Sequence, residues 1–299
     1  MTIVIQAPNT YSPDVLNWVC PDVPMAPIEL VNNAIRDSVI EFCERSLCWR
    51  TELQQILVLG PTSTTTTAAA AQYATSVVVA SITNFNDGDT IKVELDNGTW
   101  WRGYVSGTPA SLTITLDGQL NEAVESGATV TKFVDLYPIT LDSGTVVAKG
   151  LKAWLNDNVI EPISPDDLDT EFNNTEFGWV GTNWRTDVNL PTRWYFYDDS
   201  TVGLALAPNA GGNLRVLVAL KPTRASTTFP AVIYQRYIEA IANGAKARIM
   251  RIPKKPYTDF KLAAWYKGEF DGAIGDAMIS TARGETRAPL RSHTVYGLR

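Results

Sequence analysis

The sequence predicts an α+β fold. A helical bundle, made of an N-terminal helix packed with two C-terminal helices, carries a β-rich domain with an inserted small β-barrel or sandwich module. Three observations predict this. Residues 27–49 place apolar side chains at steps of three and four, which is the period of one side of a helix. Apolar helical patterns return only from Pro230 onward. Between them lie short alternating segments separated by turn residues, which is how strands read.

Residues 1–26 contain four prolines and read as an irregular lead-in with a short helix near 13–18. In the helix over 27–49, Val31, Ile35, Val39, Phe42, Ser46 and Trp49 share one side, and Asn32, Arg36, Glu41 and Arg45 the other. Pro27 suits the first helical position, where a missing N–H costs nothing. Glu41 and Arg45 are spaced to pair at i,i+4. No apolar partner lies nearby, so the partner is expected at the far end of the chain.

Residues 50–59 alternate and then turn apolar, as a strand entering a sheet does. GPTSTTTTAAAA at 60–71 has no packing pattern and reads as a linker. Strands are expected over 77–83, 90–95, 99–105, 111–116 and 129–134, with a hairpin turn at Asp96-Asn97-Gly98. Five short strands in so short a stretch suggest the barrel or sandwich.

Strands over 135–141, 145–155 and 159–163 follow, with a hairpin at Asn156-Asp157-Asn158. Ser164 is placed to cap a short helix that begins at Pro165. Residues 173–193 read as a loop carrying Phe177, Trp179 and Trp184. A hairpin over 193–206 turns at Asp198-Asp199-Ser200, and 213–220 is a further strand.

The helix over 230–252 has Ile233, Tyr237, Ile241, Ala245 and Ile249 on one face and ends at Pro253. Ala240, Gly244 and Ala247 are small enough to admit a second helix. The helix over 258–283 carries Leu262, Trp265, Tyr266 and Phe270. Gly268, Gly272 and Gly275 each cost it up to about 1 kcal/mol relative to Ala, for which close backbone approach would compensate.

Residues 1–60 and 135–282 are thus expected to form one discontinuous domain: helices 27–49, 230–252 and 258–283 plus a β-sheet over 135–220. Residues 61–134 form the inserted module and 283–299 an extended tail. The expected helix core joins Val31, Ile35, Val39, Phe42 and Trp49 to Ile233, Tyr237, Ile241, Leu262 and Tyr266.

A hydrophobic fraction of 45% excludes wholesale disorder. No apolar run reaches the roughly 20 residues that span a bilayer, and the N-terminus lacks the pattern of a signal peptide, so assembly in the cytoplasm is expected. Cys20, Cys43 and Cys48 are too few and too odd for a disulfide framework and read as buried or half-buried thiols. The net charge of −7 is unevenly spread. Residues 221–299 hold 14 Lys/Arg and 6 Asp/Glu, while 1–220 hold 11 and 26. This polarity either steers one end toward an acidic partner or marks solvated helix faces.

Catalytic chemistry finds few candidates. His293 is the lone histidine, set in a tail without helical period, and a nucleophile–base arrangement would have to use it. The phosphate-cradling glycine motifs are missing, as is a zinc ligand set. Asp166/Asp167 and Asp198/Asp199 sit at a helix start and a turn. Asn84, Asn86, Asp87 and Asp89 miss the ligand order of a calcium loop and read as a turn. Trp100-Trp101, Trp179, Trp184 and Trp194 fill sheet faces or else build a stacking or subunit surface. No enzyme, metal or cofactor is expected.

Residues 31–50, VNNAIRDSVIEFCERSLCWR, resemble the first helix of tailed-bacteriophage head-to-tail adaptor proteins. The likeness rests on Asn32, Ala34, Ile35 and Arg36, then Glu41, Phe42, Cys43, Arg45 and Ser46, then Trp49 and Arg50. Residues 234–274, YQRYIEAIANGAKARIMRIPKKPYTDFKLAAWYKGEFDGAI, are similar to the last two helices of that family, and LALAPNAGGNLRVLVALKPT at 204–223 fits the strand before them. The inserted 61–134 segment departs from the pattern. The resemblance implies a virion neck protein: a ring, typically of twelve copies, that docks under the portal protein, presents a platform to tail or nozzle proteins, and lets genomic DNA pass without specific binding. No membrane is involved. It implies a portal-binding tail, for which Arg283, Arg287, Leu290, Arg291, Val295, Tyr296, Leu298 and Arg299 are the candidates. Another tail or baseplate structural protein, or a carbohydrate-binding module, are the alternatives.

Overall fold

A computed structural model describes residues 2–4, 13–173, 184, 187–226 and 228–284. The fold is mixed α+β and rich in strands. Among the described residues there are five α-helices: α1 (Pro13–Val19), α2 (Ile28–Ser46), α3 (Pro165–Asn173), α4 (Ala231–Met250) and α5 (Phe260–Ala282). The chain divides into two compact units. One comprises Met1–Thr51, Thr140–Gly150 and Leu217–Arg299, the other Glu52–Ile139 and Leu151–Val216.

In the first unit, α2 starts one residue later than its sequence suggests. Pro27 has extended backbone (φ −60°, ψ 136°) and stands at the N-cap. The helix stops at Leu47, whose left-handed backbone (φ 52°) lets its N–H donate to the Cys43 carbonyl. Trp49 therefore lies beyond the helix, half-buried against the same core. Ser38 and Ser46 are fully buried, and each donates its hydroxyl to the carbonyl four residues back, Ala34 at 2.7 Å and Phe42 at 2.6 Å.

Val31, Ile35 and Val39 share one core with Ile233 and Ile241. Phe42 belongs to a second cluster with Phe270 and Ile274, its ring 4.8 Å from that of Tyr237 and 6.1 Å from that of Phe270. Gly244 sits tightly against both α2 and α5. A Cβ there would meet the Phe270 ring at 2.8 Å and the Ser38 hydroxyl at 3.0 Å. The helical run of α4 is interrupted at Tyr237 (φ −130°, ψ 19°).

Three expectations for this unit are corrected. Leu262 is 44% exposed, because the buried positions of α5 are Ala263, Phe270, Ile274, Ala277 and Thr281, a register displaced by one residue at its start. Among the described residues, Gly268, Gly272 and Gly275 have nothing within 4 Å of where a Cβ would stand, so none of these residues offsets their helical cost by close backbone approach. The lead-in holds a strand, Thr2–Val4, paired antiparallel with Thr228–Pro230.

In the second unit, residues 62–132 carry a four-stranded sheet in the order Thr62–Thr65, Thr129–Lys132, Thr90–Glu94, Trp100–Tyr104, and a two-stranded one of Ser76–Val78 with Thr113–Thr115. Val79, Ile91, Val93, Ile114, Leu120 and Val130 form their core. The low-complexity stretch at 60–71 is thus not a plain linker. Thr62–Thr65 pairs with Lys132–Thr129. The buried hydroxyls of the 60–71 stretch are satisfied: Thr66 donates to the Glu125 carbonyl at 2.6 Å, and Thr64 accepts from the Ser81 N–H at 3.1 Å. Threonine suits a strand through its branched Cβ, a signal that a search for apolar alternation passes over.

The larger sheet has seven strands, in the order Arg50–Val58, Gly212–Pro222, Thr145–Leu155, Asn158–Pro162, Arg193–Asp198, Thr201–Ala205, Leu136–Pro138; its three longest strands extend beyond this unit. Asn156 and Asp157 take φ of 49° and 66° in the expected hairpin turn. Ser164 caps α3, its hydroxyl oxygen accepting from the Asp167 N–H at 3.1 Å.

Trp101, Trp184 and Trp194 are buried, as side chains filling sheet faces are. Phe177 and Trp179 lie outside the described residues. The Asn84–Asp89 region is a turn whose Asp89 carboxylate pairs with Lys132 at 2.7 Å. Among the described residues no group of three or more His, Cys, Asp or Glu is placed to hold a metal ion. All three cysteines are free thiols, and burial pushes the Cys43 thiol well above its ordinary range.

Candidate interaction surface

The turn between α4 and α5, RIPKKPYTD, is fixed by its own hydrogen bonds. Thr258 donates its hydroxyl to the Ile252 carbonyl (2.5 Å) and accepts from the Lys255 N–H (2.9 Å), while the Asp259 N–H donates to the Met250 carbonyl (3.2 Å). Tyr257 is buried beneath it. Asp259 then caps α5, its carboxylate accepting from the Lys261 and Leu262 N–H groups at 2.9 Å. Arg251, Lys254, Lys255 and Lys261 are left exposed. Phe260, Leu262 and Trp265, at 62%, 44% and 58% exposure, stand among them.

Along α5 the exposed side continues in apolar character. Trp265, Gly268, Gly272, Gly275 and Ile279 recur at three and four, so they share a side, opposite the buried Phe270, Ile274 and Ala277. A helix apolar on both sides is one that expects cover on both.

Charges on α2, α4 and α5 hold this surface in place. Glu41 accepts from Arg45 at 2.9 Å, Lys267 at 2.7 Å and Arg248 at 2.5 Å, and Asp271 pairs with Arg45 and Lys267. Burial raises the Glu41 pKa, but the hydrogen bonds from Lys267 and Arg45 outweigh it and leave the carboxyl below its ordinary range. Lys246 is buried and pairs with Asp22 at 2.5 Å, which also accepts from the Tyr266 hydroxyl at 3.0 Å. The hydrogen bond from Lys246 is the main cause holding Asp22 below the usual carboxylate range.

The uneven charge of the chain follows its compact units. The first holds 18 Lys/Arg and 13 Asp/Glu, a balance of +5, and the second 7 and 19, a balance of −12. The second unit also has a cavity of about 510 Å³ lined by Arg102, Tyr104, Asp135, Trp184, Tyr195 and Tyr197. Arg102 pairs across it with Asp135 at 2.7 Å.

Of the sequence-derived tail residues, Arg283 is exposed and directly follows α5. Arg287, Leu290, Arg291, Val295, Tyr296, Leu298 and Arg299 lie outside the described residues, as does His293. The exposed cations of the α4–α5 turn were not singled out from sequence, although their spacing around two prolines could have marked them as a solvent-facing turn.

A family model described as SU10 adaptor protein matches residues 110–293. That span is 184 of the 299 residues and takes in α4, α5 and the turn between them, but not α2. No curated protein matches the chain.

Proposed function

Because the chain belongs to the SU10 adaptor protein family, a phage adaptor family, we propose that it is a virion structural protein of the neck. It docks as a ring on the portal, links the capsid to the tail, and leaves a central passage for DNA during ejection. The observation that carries this is α5, with one apolar side in the core and a second one uncovered. An uncovered side of that kind suits permanent assembly more than it suits a free monomer. Twelve copies, a portal above and tail or nozzle proteins below are the partners this reading names.

The helices α2, α4 and α5 are the portal-side body in this reading, and 61–134 is an added module that belongs to the second unit. The protein is no enzyme and takes no cofactor. The acidic second unit supports DNA passage, since carboxylates repel phosphates. No helix among the described residues is long and apolar enough to cross a membrane, which is compatible with a virion location. The tail from Arg283 onward is the portal anchor, its arginines matching carboxylates and its Leu290, Val295, Tyr296 and Leu298 filling pockets.

The test is attachment to purified portal rings, read by co-sedimentation and negative-stain microscopy. The full chain should decorate portal, and a chain truncated after Ala282, where α5 ends, should keep its melting temperature and lose attachment. Full-chain protein that leaves portal rings bare would reject the reading. The tyrosine-lined cavity favours a second, glycan-binding reading, which tryptophan fluorescence changes on adding oligosaccharides would support.

A further inference from the structure

The geometry points to the α4–α5 turn as one half of the contact between neighbouring copies of this chain, with the acidic second unit of the next copy as the other half. This rests on the ring reading above and names the surfaces that would make the ring.

Arg251, Lys254, Lys255 and Lys261 are exposed, and none is in an ion pair among the described residues. The cations elsewhere on α4 and α5 behave differently, since Lys246, Arg248 and Lys267 are all engaged by carboxylates. The hydrogen bonds of the turn display the four free charges from fixed backbone, so little order remains to be imposed when a partner arrives. Phe260 and Trp265 beside them are large, exposed and apolar. A polyanion such as duplex DNA would use the charges alone, whereas a protein surface uses aromatic anchors with a charged surround.

The complementary charge is on the chain itself. The second unit carries −12. Its Asp96 N–H donates to the Ala123 carbonyl at 3.0 Å, which holds Asp96 against the 122–125 segment that carries Glu122 and Glu125. All three side chains are exposed, and none is in an ion pair among the described residues. A basic patch on one unit and an acidic one on the other make a heterologous contact between copies. Such a contact propagates head to tail and closes into a ring when the rotation allows.

The test is native mass spectrometry of the full chain in low and high salt, with two charge-reversed variants. Wild type should associate in low salt and come apart in high salt. Lys254→Glu with Lys255→Glu should weaken association by about tenfold or more, and so should Glu122→Lys with Glu125→Lys, each with an unchanged melting temperature. Mixed together, the two variants present opposite charges again and should assemble in alternation. Lys254→Ala with Lys255→Ala serves as the milder variant if a reversal fails to fold.

Variants that associate like wild type, or a mixture that stays apart, would overturn the interface while portal docking by the same proteins left the adaptor reading standing. Loss of duplex-DNA retardation in the lysine variant, with association intact, would make the turn a nucleic-acid site instead. A wild type that neither associates nor docks on portal would overturn both readings.

Discussion

A side-chain carbon on Gly244 would come within 2.8 Å of the Phe270 ring. Phe270 is fully buried and shares its cluster with Phe42, so the ring has nowhere to retreat. Gly244→Ala should therefore destabilise the chain by about 1–3 kcal/mol, as overpacking does, despite the better helix propensity of Ala. Denaturant melts would show it as a lower midpoint. A stabilised variant would mean that α4 and α5 are further apart.

The opposite result is expected on the far side of α5. Among the described residues, Gly268, Gly272 and Gly275 meet nothing within 4 Å, and they sit in helical backbone. Each change to Ala should stabilise the free chain by roughly 0.5–1 kcal/mol. If the same variants assemble less well than wild type, the bare backbone is being used by a partner.

Phe42 is fully buried, with aromatic rings on two sides. Phe42→Ala should cost about 3–5 kcal/mol. A loss below about 1 kcal/mol on a denaturant melt would be incompatible with this packing.

Acid should loosen the helices through Glu41. Its folded pKa lies below the ordinary Glu value near 4.5, so its contribution to stability is complete above that value and is lost as pH falls through the lower, folded one. Asp22 and Asp271 are depressed as well and act in the same direction. Melting temperatures should fall as pH drops below the ordinary carboxylate range, and Glu41→Gln should lose part of that slope. An identical pH profile for the two proteins would show that the cluster is too solvated to matter.

Thr62 is the register partner of Lys132, so the segment between them leaves and returns at one place. Removing 62–132 with a short linker should leave a cooperative unfolding transition. Arg102 would go with the segment, leaving the buried carboxylate of Asp135 without that partner, so the deletion should carry Asp135→Asn. A broad, non-cooperative melt would show that the segment belongs to the main core.

What the sequence disclosed was periodic or local. The α2 stripe, the Asn156-Asp157 turn and the Ser164 cap each follow from neighbours along the chain. The orientation of α5 was less legible because apolar residues occur all round it, so pattern alone cannot say whether Leu262 or Ala263 faces inward. The strand at Thr62–Thr65 and the Thr66 that follows it were hidden because the inward side chains, Thr64 and Thr66, are hydroxyls, whose partners at Ser81 and Glu125 are set by tertiary folding. The interaction surface was hidden for a related reason. A lysine reads alike whether or not a carboxylate reaches it, and only the fold separates the engaged Lys267 from Lys255, which is in no ion pair among the described residues.

The separation of α2 from α4 and α5 also sets a timetable for synthesis. The apolar stripe of α2 emerges from the ribosome with only Val15, Leu16, Val19 and Val23 of its core already made, while its partners on α4 and α5 are still to come. With 184 residues between Ser46 and Ala231, translation at about 5–20 residues per second leaves that stripe without its α4 and α5 cover for roughly 10–40 seconds. For that interval the nascent chain offers Val31, Ile35, Val39 and Phe42 to whatever is near. Holdase chaperones, or another nascent chain on the same polysome, would be the first surfaces they meet.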